Sequence, residues 1–253
     1  MKNILFIVLI SLQFSCVYSQ KRKLVWQENF NGTTLNEKNW NFELGDGCPN
    51  ICGWGNNEKQ IYTNENYIVA NGKLTITAKN DNNTFTSTKI TTKSKKEFQY
   101  GRIETLAKLP LAKGTWPAFW MLGSNIDKVN WPKCGEIDIL EYVGKTPNIL
   151  YTSLHTQDTH GETINTMKTN IAGIENGFHL YAVDWNKEKI EFFIDNKLVY
   201  VFNPIEKTED IWPYDQPFYM IYNLAVGGNF GGNDIDLEAF PQEFVIDYVK
   251  VFQ

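Results

Sequence analysis

The sequence predicts an all-β protein whose antiparallel strands form a sandwich or a barrel. Many short segments alternate apolar and polar residues and are separated by turn-forming residues. No segment has the periodicity of a convincing amphipathic helix. Aromatic residues, which favour strands, make up 14% of the 253 residues. A β-sandwich of this length is usually one domain, so we expect a single folded unit.

The individual strand predictions follow this alternation along the chain. The hydrophobic run at 218–226 is nearly continuous, which predicts a strand buried on both faces. Asp195 and Asn196 separate two alternating segments and are predicted to form a hairpin turn. The predicted strands are 73–79, 101–109, 189–195, 197–202, 218–226 and 243–252.

The N-terminus has the features of a secretory signal peptide. Lys2 precedes an apolar stretch that ends at about residue 14, which is too short for an ordinary transmembrane helix. Small residues precede a cleavage position after Ser19. We therefore expect a signal peptide at 1–19, a single folded domain at 20–253, and a secreted or periplasmic location.

A lipid anchor through Cys16 is the alternative for this segment. Gln13 stands where a lipoprotein signal normally has Leu, which disfavours acylation without excluding it. No later segment is long and apolar enough to span a bilayer. The net charge of −5 and the pI of about 5.3 disfavour nucleic acid as a partner, and we expect a monomer.

Three cysteines remain if the signal peptide is removed. Cys48 and Cys52 lie in one Gly-rich loop and can close a small disulfide, as export would allow. Cys134 is then left as a buried thiol, although its pairing with one of the other two stays open. A metal site is disfavoured because the chain has only three His and no second pair of closely spaced cysteines.

The strongest chemical signal is a group of three acids in an apolar segment, Glu136, Asp138 and Glu141. Residues i and i+2 of a strand share a face, so Glu136 and Asp138 are neighbours while Glu141 would point away. A β-bulge between Asp138 and Glu141 would return Glu141 to the same face. The alternative is a solvent-facing strand edge, which the apolar and aromatic surroundings disfavour.

Crowded carboxyl groups shift one another's pKa, so that one keeps its proton while another stays ionised. This is the pair of states that glycoside hydrolysis uses. We expect Glu136 to be the nucleophile and Glu141 the acid/base, with their carboxyls about 5–5.5 Å apart as in retaining enzymes. Asp138, between them, would hydrogen-bond Glu136.

The acidic segment resembles the bulged E-x-D-x-x-E signature of glycoside hydrolase family 16. Similar segments extend over nearly the whole of 20–253, and the match is most like the laminarinases of the family. The resemblance implies a β-jelly roll of two curved antiparallel sheets, with a substrate cleft on the concave face. It also implies retaining hydrolysis within a β-glucan chain, with no cofactor for catalysis. The resembling segments are 25–32, 53–63, 114–123, 136–141 and 223–228.

The resemblance also suggests residues that bind substrate. Trp116 and Trp120 are expected to be sugar platforms, with core packing as their alternative, and Trp131 is expected to form the floor of a subsite. Asn57 and Arg102 resemble polar cleft residues that hydrogen-bond sugar hydroxyls, although Arg102 would otherwise be a solvated strand residue.

Two further assignments come from the resemblance alone. His155 matches a histidine near the acid/base of the family. Glu28, Gly72 and Asp247 match positions of a structural calcium ion on the convex face, where oxygen ligands would be needed. The role of Glu58, in the first cleft loop, stays open.

The expected substrate is β-1,3-glucan such as laminarin, either as polysaccharide or as oligosaccharide, with possible side activity on mixed-linkage β-1,3-1,4-glucan. A galactanase acting on agar, porphyran or carrageenan is the alternative enzyme, but sulfated galactans would call for basic subsites in an acidic chain. A non-catalytic glucan-binding protein is the alternative from another class, and the presence of both Glu136 and Glu141 argues against it. Transglycosylation uses the same glycosyl–enzyme and stays open.

Overall fold

Two β-sheets face one another across one apolar core in the computed structural model, which describes residues 22–253. The all-β jelly roll expected from the sequence is confirmed. The predicted signal peptide at 1–19 and Cys16 lie outside the described residues. In the described part of the chain, no helix is long and apolar enough to cross a membrane.

The strands of residues 22–253 are short, and the helices have four residues or fewer. The strands are β1 (Leu24–Glu28), β2 (Asn41–Glu43), β3 (Gln60–Tyr62), β4 (Tyr67–Ala70), β5 (Lys73–Asp81), β6 (Thr84–Ser87), β7 (Lys89–Thr91), β8 (Glu97–Phe98), β9 (Gly101–Lys108), β10 (Thr115–Gly123), β11 (Glu136–Tyr142), β12 (Ile149–His155), β13 (Thr166–Asn170), β14 (His179–Trp185), β15 (Ile190–Ile194), β16 (Lys197–Phe202), β17 (Phe218–Val226) and β18 (Gln242–Phe252). The helices are α1 (Ile126–Val129), α2 (Gly228–Gly231) and the 3₁₀ turns Cys52–Gly55 and Leu237–Ala239.

The ten-stranded sheet, here called the outer sheet, has the order β16-β15-β14-β9-β18-β5-β6-β3, with β1 beside β18 and β4 beside β5. The eight-stranded sheet, here called the cleft sheet, has the order β13-β12-β11-β10-β17-β7-β2, with β8 beside β17. Pairing is antiparallel except between β3 and β6. The acidic strand β11 therefore lies inside the cleft sheet, between β10 and β12.

The six strands predicted from alternation are all present, with ends that differ by two residues or fewer. Asp195 and Asn196 have φ of +49° and +61°, as the tight hairpin turn between β15 and β16 requires. All nine residues of β17 are buried, as its continuous apolar run predicts.

Large aromatic side chains fill the space between the sheets. The rings of Phe119 on β10 and Tyr222 on β17 stack with centroids 4.4 Å apart. The Tyr222 hydroxyl donates a 2.7 Å hydrogen bond to Oγ1 of Thr105 on β9, so one buried side chain joins the two sheets. This packing holds the cleft sheet rigidly beneath the acidic residues of β11.

Candidate active site

The three acids of β11 lie on the face of the cleft sheet that points away from the core. Pairing between β11 and β12 shifts between Asp138 and Glu141, and Ile139 and Leu140 are consecutive core residues within that shift. The extra residue returns Glu141 to the side of Glu136 and Asp138. The predicted bulge is confirmed, and without it Glu141 would point into the apolar core.

Burial changes the acidity of two of these groups. Asp138 is 2% exposed and Glu141 is 9% exposed. Burial raises the pKa of Asp138 well above its usual value, and the charge of Glu136 raises it further. Burial likewise raises the pKa of Glu141, with a further contribution from the charge of Asp138. Both carboxyls thus favour the protonated form.

Glu136 is the more accessible member of the group and is only half-buried. The indole Nε1 of Trp131 donates a 2.6 Å hydrogen bond to its Oε2. Trp131 is 44% exposed, so the indole reaches this carboxylate from the rim of the cleft. Among the three acids, Glu136 is the one most accessible to a ligand.

Glu141 has two side-chain neighbours that donate to it. The Nε1 of Trp116 lies 3.1 Å from Oε1, and the hydroxyl of Ser153 lies 3.5 Å from Oε2. Ser153 receives a 3.0 Å hydrogen bond from the hydroxyl of Thr166 on β13. The Glu141 carboxyl is therefore oriented from both sides.

His155, on β12, contacts Asp138 rather than the expected acid/base. Its Nε2 lies 3.1 Å from Oδ2 of Asp138, in a close contact that is not aligned as a hydrogen bond. Ligating atoms of Glu136, Asp138 and His155 all lie within 4.8 Å of one another, a spacing that a metal ion could also use. The pairing of β11 with β12, in which Glu136 is opposite His155, brings these side chains together.

A row of side chains crosses the cleft sheet at the level of Glu141. In register, Glu141 on β11 is beside Ala118 on β10, followed by Asn223 on β17, Lys89 on β7 and Glu43 on β2. The row runs across the strands, which gives the direction of the cleft. Ala118 leaves a low point in the floor next to Glu141.

The far part of this row carries a cation between aromatic rings. The Nζ of Lys89 lies 4.1 Å from the ring centroid of Trp54 and 5.2 Å from that of Trp120, and it pairs with Glu43 at 2.7 Å. The Nε1 of Trp120 donates a 2.7 Å hydrogen bond to Oδ1 of Asn223. Sequence reasoning identified Trp120 but missed Lys89 and Asn223, whose positions depend on strands far apart in sequence.

The loop after the 3₁₀ turn at Cys52 gives one correction. Asn57 has φ of +57°, which turns its exposed side chain outward, where its Nδ2 donates a 2.9 Å hydrogen bond to Asn229 of α2. Its neighbours Asn56 and Glu58 line the cleft instead, beside Trp116. Asn57 is thus a rim residue that ties two loops together.

Glu58 forms the side of the cleft opposite the β11 acids. Its carboxyl accepts hydrogen bonds from Asn56 at 3.2 Å, Gln60 at 2.6 Å and the Tyr62 hydroxyl at 3.3 Å. Burial is the main cause that raises its pKa above the usual value. The Tyr62 hydroxyl also accepts from Asn223, so Glu58 is connected to the cleft floor.

The prediction for Arg102 is wrong. Arg102 lies on β9 of the outer sheet, where its Nε lies 2.8 Å from Glu104 and its guanidinium lies 5.2 Å from the ring centroid of Phe193. Its neighbour Ile103 points into the core, so Arg102 faces outward as the alternation implied. That outward face belongs to the sheet opposite the cleft.

The three positions matched to calcium lie in adjoining segments of the outer sheet, at the end of β1, in the turn between β4 and β5 and in the middle of β18. Both carboxylate oxygens of Glu28 accept hydrogen bonds from amide groups of the loop that follows β1. A Cβ on Gly72 would lie 3.5 Å from Oδ1 of Asn31 in that loop. Asp247 lies 3.5 Å from the ammonium group of Lys73. The region around these three residues is rich in oxygen atoms, which fits calcium. However, the ammonium group of Lys73 already neutralises Asp247.

The cysteines follow the sequence interpretation. Cys48 and Cys52 form a disulfide that closes the loop before Trp54. Cys134 is a buried free thiol, and burial raises its pKa to about 12. Such a thiol is not a nucleophile at neutral pH, and Cys134 packs instead with Leu122 of β10 and with Tyr219 and Ile221 of β17.

Comparison with known proteins finds a matching family and similar solved structures. A family described as "Glycosyl hydrolases family 16" matches residues 55–250. The crystal structure of a laminarinase from Flavobacterium sp. UMI-01 superposes with a TM-score of 0.90 at 67% sequence identity, covering 91% of this chain and 100% of that one.

Characterised relatives are similar along most of the chain. A β-glucanase of Rhodothermus marinus is 38% identical, over 91% of this chain and 85% of its own length. Glucan endo-1,3-β-glucosidase A1 of Niallia circulans is 37% identical over 91% of this chain. This chain spans only 38% of the length of the Niallia protein.

Proposed function

The chain belongs to glycoside hydrolase family 16, and from this premise we propose that it is an endo-acting, retaining β-1,3-glucanase. The observation that carries the proposal is the wall of Glu136, Asp138 and Glu141 in an open cleft, with two of the three carboxyls favouring their protonated forms. The names of the similar laminarinases support β-1,3-glucan as the substrate. Mixed-linkage β-1,3-1,4-glucan is the proposed secondary substrate.

The proposed reaction is a double displacement at the anomeric carbon. The Glu136 carboxylate attacks that carbon while Glu141 donates its proton to the glycosidic oxygen, and the bond to the leaving chain breaks. The product of this step is a glycosyl ester on Glu136 and an ionised Glu141. Glu141 then takes a proton from water, the water oxygen attacks the anomeric carbon, and the ester bond breaks to regenerate the Glu136 carboxylate. Side-chain carboxyls perform both steps, and no cofactor is needed.

Asp138 has a positioning role in this proposal. Its raised pKa keeps a proton on the carboxyl, and that proton is shared with the neighbouring Glu136 carboxylate. A hydrogen bond to an ionised acceptor is stronger than a neutral one and fixes the acceptor's orientation. His155, 3.1 Å from the other side of Asp138, limits its movement.

Three tryptophans serve as sugar platforms. Their indole nitrogens are bonded to Glu141, Asn223 and Glu136, respectively, so the ring orientation is fixed by polar contacts. None of the three rings is fully buried, which leaves ring surface for the C–H groups of a pyranose. The platforms are Trp116, Trp120 and Trp131.

The substrate assignment is tested by incubating the purified protein with linear β-1,3-glucan, mixed-linkage glucan, agarose and carrageenan and measuring new reducing ends. We expect release from the β-1,3-glucan first, with the initial products in the β-anomeric form by NMR. Release only from a galactan would contradict the substrate, and initial α-anomers would contradict the retaining mechanism. Binding to β-1,3-glucan without any release would identify a recognition protein.

Export is proposed for the chain from its N-terminal segment. We expect the mature protein to begin at Gln20, to carry no lipid on Cys16 and to be monomeric. Intact-mass measurement and light scattering of the secreted protein test these points. A mass that retains 1–19, or a diacylglyceryl adduct on Cys16, would contradict this account.

A structural calcium ion is proposed at the corner formed by Glu28, Gly72 and Asp247. Bound there, calcium would join the end of β1 and the middle of β18 to the turn before β5, and it would displace Lys73 from Asp247. Addition of calcium to chelator-treated protein should raise Tm, and Asp247→Asn should reduce that rise. An unchanged Tm in calcium would reject the site.

A further inference from the structure

A cavity of about 520 Å³ lies at one end of the sandwich, beyond the first residue of β11. It lies between the segment that carries α1 and the connection from β16 to β17. Asn125, Val129 and Lys133 line it on the first side, and Glu209, Pro213 and Gln216 are among its lining residues on the second. We propose that this cavity binds a glucosyl side branch of a β-1,3-glucan whose main chain occupies the cleft. The proposal rests on the proposed function.

The position of the cavity fits a branch better than the main chain. The row from Glu141 to Glu43 crosses the strands, so a main chain in the cleft runs across β11. The cavity is displaced along β11 instead, because Pro213 would lie 2.8 Å from a Cβ added to Gly135, directly before Glu136. A substituent that leaves the main chain sideways next to Glu136 points toward it.

The segment from Val129 to Lys133 connects the two sites. Its two ends line the cavity, while the indole of Trp131 in its middle bonds to Glu136 from the cleft side. The side chain of Trp131 thus contacts Glu136 from the same short segment whose ends line the cavity. Trp131 provides a surface over which a branch can pass.

The lining has the chemistry of a site for a neutral polyol. Two lysines and two acids balance in charge, so the cavity does not favour a sulfated or otherwise anionic ligand. Lys133 and Glu209 form no ion pair within residues 22–253, and the buried Oδ1 of Asn125 has no hydrogen-bond partner in that range. These groups offer both donors and acceptors to sugar hydroxyls. The charged lining residues are Lys133, Lys207, Glu209 and Asp215.

Its size is also suited to a short branch. Pockets for small ligands usually have volumes of about 300–1,000 Å³. The depression at the carboxyl wall is smaller, at about 60 Å³. A space of this volume beside the groove of the three acids has room for a short side chain on a long polymer.

The test compares two oligosaccharides of equal main-chain length, one linear and one with a single β-1,6-glucosyl branch. We expect Glu209→Ala and Asn125→Ala to lower kcat/KM for the branched compound about threefold to tenfold and to leave the linear compound within twofold. Glu206→Ala, an exposed change in the same connection outside the cavity, is the matched control and should alter neither value.

The outcomes separate this proposal from the proposed function. Equal effects on both compounds, or no effect on the branched one, would overturn the branch site while leaving the glucanase intact. If the wild-type protein cleaves neither compound, the proposed function itself fails. Retained activity on the linear compound also verifies that each variant is folded.

Discussion

The indole Nε1 of Trp116 donates a 3.1 Å hydrogen bond to Oε1 of Glu141. The two residues lie on neighbouring strands, and Ala118, two residues beyond Trp116, is the register partner of Glu141. Burial drives the pKa of Glu141 upward, and this hydrogen bond acts in the opposite direction. Burial thus raises the pKa of the expected acid/base, and the hydrogen bond from Trp116 lowers it.

Replacement of Trp116 by Phe should shift the pH dependence of activity. Loss of the donor removes a contribution that lowers the pKa of Glu141, so this pKa rises further. Because Glu141 must be protonated to act as the acid, the alkaline limb of kcat/KM should move to higher pH. The value of kcat/KM should also fall by about tenfold, as expected for a lost hydrogen bond to an ionisable group.

The matched control for this change is Trp120→Phe, whose indole bonds to Asn223 and not to a carboxyl. It should lower activity without moving the alkaline limb. A limb that stays in place, or moves to lower pH, in Trp116→Phe would contradict the assignment of Glu141 as the titrating acid.

Replacement of Glu141 by Ala should affect substrates according to their leaving groups. Without the acid, hydrolysis of glucan should fall by about two to four orders of magnitude, whereas an aryl glycoside with a good leaving group should lose much less. Azide should restore turnover of the aryl glycoside and give a β-glycosyl azide. Ser153→Ala, which alters a neighbour of Glu141, should show no azide product, and absence of the azide product from Glu141→Ala would argue against the acid/base role.

Replacement of Asp138 by Asn should stabilise the protein at neutral pH while reducing its activity. The pKa of Asp138 is raised by folding, so the unfolded state gains free energy from ionisation above its own pKa, and the stability of the wild type falls as pH rises. Asn does not ionise, so the Tm of the variant should be higher than that of the wild type at pH 7. The increase should be about 2–4 °C for each kcal/mol gained in the free energy of unfolding.

The gain in stability of Asp138→Asn should depend on pH. Near pH 3 the aspartate is neutral in both states, and the Tm difference between wild type and Asp138→Asn should largely disappear. A variant that is less stable than the wild type at pH 7 would mean that the folded state holds Asp138 ionised. Thermal melts at pH 3, 5 and 7 distinguish these cases.

Replacement of Lys89 by Met should weaken substrate binding more than it slows the chemical step. Lys89 lies in the floor row beyond Asn223, away from the carboxyl wall, and its ammonium lies over Trp54. We expect KM for a long β-1,3-oligosaccharide to rise about tenfold with kcat within twofold. Lys93→Met, which removes an ion pair with Asp127 near the surface, should leave both constants unchanged; an unchanged KM in Lys89→Met would exclude this part of the floor from the binding site.

The bulge of β11 could be predicted from the sequence because local physics determines it. Ile139 and Leu140 are both apolar, and a regular strand through them would place the Glu141 carboxyl among core side chains. The same alternation showed correctly that Arg102 points away from the core. It could not tell which of the two sheets carries Arg102, since that depends on pairing between distant strands.

Other features of the site could not be predicted from the local sequence pattern, for similar reasons. Lys89 reaches the floor only because β7 pairs with β17, more than a hundred residues later. The outward turn at Asn57 depends on a left-handed backbone and on its contact with Asn229. The cavity beside Glu209 forms where two separate connections meet. Each of these features depends on tertiary contacts that cannot be predicted from a short segment of the sequence.

In the proposed reaction, Glu136 forms a covalent bond to the sugar. A 2-deoxy-2-fluoro laminaribiosyl donor with a reactive leaving group should form the glycosyl ester quickly and hydrolyse it slowly, so the intermediate accumulates. Mass spectrometry of the digested protein should then find one fluoro-laminaribiosyl group, attached to Glu136. A label on Glu141 or Asp138 would contradict the account. So would hydrolysis of the donor that neither inactivates the protein nor labels any residue.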